Sequence, residues 1–191
     1  MKRLTKSSIV QIMLCAALIG AFAGFISQLP AIPQPKASFQ TNSKTQTFQA
    51  LVINVSDGDS ITVRSGDQNI KIRLAEIDAS ERGQAWGTKS RQELAGLVAG
   101  KTVSITPQGQ DRYNRTIARI AVNGIDISRA MVTRGAAWAY DDYVRDPSIT
   151  QLEAQAQSER AGLWAMPAHE RQPPWEYRAA RRNATSAAVG R

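Results

Sequence analysis

Residues 48–81 read FQALVINVSDGDSITVRSGDQNIKIRLAEIDASE. Residues 48–55 and 60–63 are rich in residue types that favour β-strands, and the Asp-Gly-Asp sequence between them is a turn signal. After a second turn, apolar and charged residues alternate over residues 70–74, which is the period of a half-buried strand. Three short strands in close succession predict an antiparallel meander.

The chain beyond this meander predicts a mixture of helices and strands. Leu94, Leu97 and Val98 recur at helical spacing before Gly100, which is a typical helix stop. The further elements are predicted as a helix over residues 88–98, strands over 103–105 and 116–122, a short helix over 127–133, and a helix from Asp146-Pro147 to about residue 161. Five strands with three helices indicate a small barrel of the α+β class with a mainly β core, which we place at residues 47–166.

Scarce residue types limit the chemistry that this chain can perform. It has one histidine, His169, and one cysteine, Cys15. They cannot build a tetrahedral Cys/His zinc site, and they exclude a disulfide within the chain. A Ser-His-Asp or Cys-His hydrolase would have to use His169, which lies in a proline-rich segment. An enzyme of this composition is therefore expected to use carboxylates, arginines and an oxygen-liking metal.

The net charge of +8 is concentrated in the two ends of the chain. Residues 1–46 carry five Lys or Arg and no acid, and residues 178–191 carry four Arg and no acid. The body between them has 15 basic and 16 acidic residues. A polyanionic partner therefore has to be argued from specific residues rather than from the total charge. We expect residues 167–191 to form an irregular basic tail, remote from any active site, that adds salt-dependent affinity for nucleic acid.

The amino end has the pattern of an export segment. Three basic residues in the first six precede an apolar run over residues 9–26, and Ala21-Phe22-Ala23 offers a cleavage site. Since ~18 apolar residues can also span a bilayer, residues 1–27 are either a cleaved signal or an anchor. Both alternatives predict that the body lies outside the cytoplasm, secreted, periplasmic or anchored. Residues 28–46, rich in Pro, Ser and Thr, are interpreted as a linker.

Three clusters of polar residues carry candidate chemistry. They lie at residues 57–60 in a turn, at residues 73–81 where a strand ends, and at residues 111–115 before a strand. Carboxylates from two separate loops with a main-chain carbonyl suit Ca²⁺, which takes oxygen ligands at ~2.3–2.6 Å, and Glu81 could hold or deprotonate a water beside the metal. Arginines provide planar forks that match phosphate oxygens. Together these groups are sufficient for hydrolysis of a phosphodiester.

Each cluster by itself also has a simpler interpretation. The Asp-Gly-Asp sequence is a turn motif, and Arg73 on an alternating strand fits a solvent-facing residue paired with an acid. Arg112 and Arg115 beside Tyr113 fit a surface loop or a base-stacking patch for single strands. The lone His169 fits a solvated surface residue. The combination of all three clusters on a small β-rich body is what favours phosphodiester chemistry.

Six signatures follow one another over residues 48–164. They are Val55–Ser60, Ile72–Leu74 continuing to Asp78 and Glu81, Gln84–Gly87, Asp111–Arg115, Gly135–Tyr140 and Glu159–Trp164. In these signatures and their order the chain resembles the staphylococcal (micrococcal) nuclease family, also called thermonuclease-like. The resemblance implies a five-stranded OB-type barrel with three helices and Ca²⁺-dependent hydrolysis of DNA and RNA.

The resemblance also implies a role for each matching residue. These roles are Ca²⁺ ligation by Asp59, Asp78 and the backbone carbonyl of Ala79, general base catalysis by Glu81, phosphate binding by Arg73 and Arg115, and nucleotide contacts by Arg112, Tyr113 and Tyr140. Whether Tyr143 is a further nucleotide contact stays open, because Asp141 and Asp142 change the local charge. The family usually has Thr-Pro where this chain has Ala79-Ser80, so a looser loop and a lower activity are expected.

The resulting prediction is an exported, monomeric, sugar-nonspecific nuclease that leaves 3′-phosphate ends and meets a membrane only through its amino-terminal segment. The alternative is a catalytically weak OB-type module that binds nucleic acid or a protein. Degenerate copies of the family domain typically lose one or more catalytic positions. This chain keeps all five, which are Asp59, Arg73, Asp78, Glu81 and Arg115.

Overall fold

The computed structural model describes residues 46–189. The predicted export segment and nearly all of the predicted linker lie outside the described residues. The described part has eight strands, which are β1 (Phe48–Val55), β2 (Ser60–Ser65), β3 (Gln68–Leu74), β4 (Ile77–Asp78), β5 (Thr102–Gln110), β6 (Thr116–Val122), β7 (Ile125–Asp126) and β8 (Trp138–Ala139). The same part has four α-helices, which are α1 (Gly87–Val98), α2 (Ile127–Thr133), α3 (Ser148–Ser158) and α4 (Pro174–Val189).

The five long strands close into a barrel. β1 pairs antiparallel with β2 and with β5, β2 pairs antiparallel with β3, and β5 pairs antiparallel with β6. The parallel pairing of β3 with β6, through residues 72–74 and 116–118, completes the ring. This closed five-stranded barrel with accompanying helices confirms the predicted OB-type architecture.

The barrel interior is filled by alternate side chains of its strands. Ile72 and Leu74 of β3 are completely buried in this core. Because successive side chains of a strand point to opposite faces, Arg73 between them points away from the core. β3 therefore delivers Arg73 to the outside of the barrel at the point where the strand ends.

The first three helices follow the prediction closely. α1 and α2 occupy the predicted positions, and Asp126 caps α2 by accepting a hydrogen bond from the Arg129 N–H at 3.0 Å. α3 ends at Ser158 rather than near residue 161. It stops there because Arg160 takes a left-handed φ of 53°, which a continuing helix does not allow.

The prediction of an irregular carboxyl tail is wrong, because residues 174–189 form α4. Pro174 occupies the first helical position, where its missing N–H costs nothing, and alanine and arginine fill much of the following sequence. Trp175 in the first turn stacks on Tyr140 with ring centroids 5.5 Å apart and planes 3° apart. α4 is thereby attached to the body rather than separate from it. None of the helices within residues 46–189 is long and apolar enough to cross a membrane.

Candidate active site

A cleft of about 1180 Å³ lies between the β3–β4 connection, the loop joining β5 to β6, and α4. Its lining includes all nine residues that the sequence predicted for the site: Asp59, Arg73, Asp78, Ala79, Glu81, Arg112, Tyr113, Arg115 and Tyr140. Tyr143, whose position was left open, lines the same cleft. The fold thus brings the three sequence clusters together.

The guanidinium of Arg73 lies between the two aspartates of the site. Its Nη2 is 3.2 Å from Asp59 Oδ2 and 2.8 Å from Asp78 Oδ1. Its Nη1 donates to the backbone carbonyls of Leu74 and Ile77 at 2.9 and 2.8 Å. Four contacts to one planar group fix its orientation, and they bring oxygens of both aspartates within reach of a single nitrogen.

Asp59 is buried, and both of its carboxylate oxygens accept hydrogen bonds. Oδ2 accepts from the Ala79 N–H at 2.8 Å, which ties the β1–β2 turn to the segment after β4. Oδ1 accepts from the Ser60 hydroxyl at 2.9 Å. That hydroxyl in turn accepts a hydrogen bond from Arg115 Nη1 at 3.0 Å. Ser60 therefore connects Asp59 to Arg115, the second predicted phosphate-binding arginine.

The Asp-Gly-Asp turn needs its glycine because it packs directly against α1. Any side chain at Gly58 would collide with Ser90 of that helix. The Asp57 side chain closes the turn by accepting from the Asp59 N–H at 3.1 Å. Burial, together with the neighbouring charge of Asp59, raises the pKa of Asp57 to about 7. Asp57 therefore gains a proton more readily than an ordinary aspartate.

Arg115 is oriented by Asp111 four residues before it. Asp111 accepts from Arg115 Nε at 2.7 Å and from the backbone N–H groups of Arg115 and Tyr113 at 2.9 Å. Partial burial works against ionisation of Asp111, but these hydrogen bonds hold its pKa below the usual range. Tyr113 is 63% exposed, and the guanidiniums of Arg112 and Arg115 lie 4.9 and 5.6 Å from the centre of its ring. This loop presents an aromatic face and two cations to the cleft.

Glu81 lies at the end of a tight loop that begins after Asp78. Its N–H donates to Gln84 Oε1 at 2.9 Å, and its carbonyl accepts from the Gln84 N–H at 2.9 Å. A side chain at Gly87 would collide with the Glu81 carbonyl, so α1 begins in contact with this loop. These contacts restrain the loop although it has no proline. Whether the missing proline lowers activity stays a prediction.

Comparison with known proteins identifies related sequences. Residues 71–166 match the model of a family described as staphylococcal nuclease homologue. The chain is 39% identical over 150 residues to a micrococcal nuclease of Shigella flexneri, covering 73% of this chain and 85% of that relative. The chain belongs to the staphylococcal nuclease family.

Two further relatives agree with this membership. An uncharacterized endonuclease of Haemophilus influenzae is 45% identical over 115 residues, which are 60% of this chain and 65% of that relative. Protein ParB of Escherichia coli is 38% identical over 138 residues, which are 66% of this chain and 77% of that relative. As a member of the staphylococcal nuclease family, the chain is a hydrolytic endonuclease, a phosphodiesterase with nucleic acid as its substrate.

Staphylococcal nuclease homologues use a metal ion, and the donor chemistry of this cleft fits a hard cation. Asp59 and Asp78 offer carboxylate oxygens close to one another, and the surrounding groups supply neither sulfur nor imidazole. Across residues 46–189, no three His, Cys, Asp or Glu side chains gather as a metal-binding group. A cation here would therefore complete its ligands with backbone carbonyls and water, as hard cations commonly do.

Sequence reasoning missed Arg178, although it contacts two of the predicted catalytic carboxylates. Its Nη1 and Nη2 donate to Asp78 Oδ1 and Oδ2 at 3.1 and 2.6 Å, and Nη1 also donates to Glu81 Oε1 at 2.7 Å. The available signal was the helical spacing of Trp175, Arg178 and Arg182 after a proline, which places the three side chains on one face. The tail was therefore wrongly predicted to be remote from the site.

Tyr140 connects the nucleotide side of the cleft to α4. It follows β8, whose Trp138 pairs with Asp78 across the β4–β8 ribbon. One face of its ring stacks on Trp175, and the ring of Tyr143 lies 4.5 Å away. Burial, together with the charge of Asp78, raises the pKa of the Tyr140 hydroxyl. Tyr140 therefore stays neutral at physiological pH and can act as a hydrogen-bond donor.

Proposed function

We propose that this chain is a Ca²⁺-dependent, sugar-nonspecific nuclease that hydrolyses DNA and RNA and leaves 3′-phosphate ends. One observation carries the proposal, which is the convergence of three carboxylates and two arginines in a single cleft: Asp59, Asp78, Glu81, Arg73 and Arg115. Two carboxylates that can bind a cation and a third that can act as a general base lie beside two arginines that can bind a phosphate. Nuclease-named relatives support the reaction class.

In this proposal the carboxylates of Asp59 and Asp78 and the carbonyl of Ala79 hold the cation. A bound Ca²⁺ supplies Lewis-acid stabilisation of the charge that builds on the phosphate oxygens. Ca²⁺ suits the site better than Mg²⁺, because Mg²⁺ demands near-octahedral geometry at ~2.0–2.1 Å and gives up its water reluctantly. The Asp59 position is well defined for this role, since the Ser60 hydroxyl and the Ala79 N–H orient its carboxylate.

Glu81, Arg73 and Arg115 act directly on the reacting groups in this proposal. Glu81 accepts a proton from a water molecule as the water oxygen bonds to phosphorus. The bond from phosphorus to the 5′ oxygen breaks, a solvent water protonates the leaving oxygen, and the phosphate stays on the 3′ side. Arg73 and Arg115 donate to the phosphate oxygens, whose charge grows in the transition state.

The substrate is positioned by the loop before β6 and by Tyr140. Arg112 supplies a cation beside the exposed ring of Tyr113, on which a base can stack. Such stacking tolerates any base and either sugar, which agrees with a nonspecific nuclease.

We also propose that the enzyme is exported and acts as a monomer. Export is supported by the basic flank and apolar run of residues 1–27.

The test is to incubate the full-length protein with plasmid DNA, single-stranded DNA and RNA, in Ca²⁺ or in excess EGTA with Mg²⁺. We expect cleavage of all three substrates in Ca²⁺ only. Products should be extended by a polymerase only after phosphatase treatment, because a 3′-phosphate blocks extension. Full activity in EGTA with Mg²⁺ would contradict the metal assignment. Binding without cleavage under every condition would favour the alternative of a catalytically weak binding module.

A further inference from the structure

α4 delivers a cationic group into the acidic centre of the cleft. The guanidinium of Arg178 engages both oxygens of Asp78 and one oxygen of Glu81 at 2.6–3.1 Å. Asp78 Oδ1 also receives Arg73 Nη2 at 2.8 Å. The buried carboxylate of Asp78 therefore contacts two arginines. A metal cation that binds an oxygen of Asp78 would lie next to the guanidinium of Arg178.

The charges of this group do not favour Arg178 and a divalent cation at the same time. When ionised, the carboxylates of Asp59, Asp78 and Glu81 face the two guanidiniums of Arg73 and Arg178, which leaves one uncompensated negative charge. A divalent cation added to this set would face two positive groups at close range in a partly buried cleft. Departure of Arg178 removes one of these two positive groups and leaves Asp78 Oδ2 without its arginine partner, while Oδ1 keeps its contact with Arg73.

Arg178 differs from Arg73 in how firmly it is attached. Arg73 lies within β3 and also donates to two backbone carbonyls of the barrel. The contacts of Arg178 in the cleft are with carboxylates, and its side chain is 33% exposed. α4 is the last element of the described chain, and residues 180–188 are exposed. Undocking of the helix would break the stacking of Trp175 on Tyr140 but would leave the strand pairing of the barrel intact.

We propose that Arg178 is an intramolecular competitor of the catalytic cation, so that α4 sets the cation concentration at which the enzyme becomes competent. The inference rests on the proposed function, because it takes Asp78 as a cation ligand. If the docked state holds 90–99% of the free enzyme, the apparent cation affinity is lower than the intrinsic affinity by about 10- to 100-fold. Removal of the Arg178 guanidinium should raise the apparent cation affinity by the same factor.

The test is calorimetric titration of Ca²⁺ into full-length wild-type protein, Arg178→Ala and Arg182→Ala, without nucleic acid. Arg182 lines the same cleft on the same helix, and its loss changes the net charge equally, so it is the matched control. We expect Arg178→Ala to bind Ca²⁺ about 10- to 100-fold more tightly than wild type. Arg182→Ala should stay within about threefold. Equal or weaker binding by Arg178→Ala would overturn the proposal and make Arg178 a positioning residue for the carboxylates.

A second measurement uses the unaltered protein and does not depend on the folding of a variant. Coupling between two sites is reciprocal, so bound Ca²⁺ must weaken the docking of α4 by the same factor. Amide hydrogen exchange over residues 175–182 should therefore become faster when Ca²⁺ is added. Unchanged or slower exchange would contradict the competition. Absence of Ca²⁺ binding by every variant, together with Ca²⁺-independent cleavage, would instead reject the metal assignment of the proposed function and the competition with it.

Discussion

Glu76 and Asp78 lie two residues apart and are both buried, but their carboxylates have different kinds of partner. Glu76 accepts from Arg119 Nε and Nη2 at 3.1 and 3.2 Å, and from the backbone N–H groups of Arg145 and Asp146 at 3.3 and 3.1 Å. The partners of Asp78 are the guanidiniums of two arginines. Two main-chain donors tie Glu76 to the fold, whereas the hydrogen-bond donors to the Asp78 carboxylate are side chains, which can be exchanged for a ligand.

The Glu76 cluster, formed by Glu76, Asp126, Asp146, Arg119 and Arg129, extends this structural role. Arg119 also pairs with Asp126 and Asp146 at 3.5 and 3.2 Å, and Arg129 pairs with Asp146 at 3.3 Å. The Glu76 carbonyl accepts from the Tyr140 N–H at 2.9 Å. The cluster therefore joins the β3–β4 connection to β6, α2 and the start of α3. The Asp78 cluster, formed by Asp59, Asp78, Glu81, Arg73 and Arg178, joins the barrel to α4 across the cleft.

Among substitutions of the cleft arginines and of the cation ligands, the largest expected effect is on kcat, when an arginine loses its planar guanidinium. Arg73→Lys and Arg115→Lys keep the charge but lose the planar set of donors, so each should lower kcat by about 10²–10³. Single-turnover cleavage of an end-labelled oligonucleotide measures the loss. Arg64→Lys, an exposed change in β2, is the control and should have little effect. If both cleft variants stay within about tenfold of wild type, roughly 1.4 kcal/mol, the two arginines do not contact the transition state.

The next expected effect is on Ca²⁺ affinity, and it distinguishes the proposed ligand Asp59 from the proposed base Glu81. Asp59→Asn should weaken Ca²⁺ binding by at least about tenfold, or about 1.4 kcal/mol, because it removes a charged oxygen donor from the site. Glu81→Gln should weaken binding by less than about threefold, since Glu81 lies outside the proposed ligand set. Calorimetric titration of both variants measures this difference. Equal losses of affinity would make Glu81 a ligand rather than a base.

The smallest expected effect is a pH-dependent change in Tm on substitution of Asp146, a member of the Glu76 cluster. Hydrogen bonds from the Ser148 hydroxyl and N–H, with help from Arg119, lower the pKa of Asp146 from 3.8 to about 2. A lowered folded-state pKa stabilises the fold above pH 3.8, and this stabilisation is lost as the pH falls toward 2. The Tm difference between wild type and Asp146→Asn should therefore be present at pH 6 and shrink below pH 4.

Thermal unfolding of the two proteins across this pH range measures the effect. Asp67→Asn, an exposed change in the turn between β2 and β3, controls for loss of one negative charge. A Tm difference between wild type and Asp146→Asn that is constant from pH 6 to pH 2 would show that the Asp146 carboxylate does not stabilise the fold through its charge.

The barrel could be predicted from the sequence because its signals are local. Alternation over residues 70–74 and the Asp-Gly-Asp turn determine the strand boundaries, and the structure has β2 and β3 at these positions. The order of the clusters and their resemblance to one nuclease family predicted which side chains meet. Arg73 and Asp78 lie on either side of one short connection, so their proximity follows from the chain itself.

The role of α4 could not be predicted in the same way. Arg178 is 100 residues from Asp78 in sequence, and no local pattern indicates that the two residues meet. Their contact accompanies the stacking of Trp175 on Tyr140, which is a tertiary interaction between aromatic rings. The basic composition of the tail suggested electrostatic attraction to nucleic acid, and the helical spacing within it was overlooked. Glu76 was missed as a structural residue because its partners come from β6 and the start of α3.

Carboxylates that lie close together in the sequence have different roles in this account: Glu76 stabilises the fold, whereas Asp78 and Glu81 serve the reaction. A matched pair of substitutions tests this difference directly. Glu76→Gln and Glu81→Gln make the same chemical change in the two clusters. Tm by calorimetry and kcat at 25 °C should be measured for both proteins.

Glu76→Gln should lose about 3 kcal/mol of stability, since removing one partner of a buried pair costs about 3–5 kcal/mol and Arg119 keeps two other carboxylates. Its Tm should fall by about 6–12 °C, at ~2–4 °C per kcal/mol, while kcat stays within about tenfold. Glu81→Gln removes a partly exposed pair worth about 0–1 kcal/mol, so its Tm should stay within about 4 °C while kcat falls about 10²–10⁴-fold. The claim is contradicted if Glu81→Gln unfolds as early as Glu76→Gln and still cleaves, or if folded Glu76→Gln is inactive.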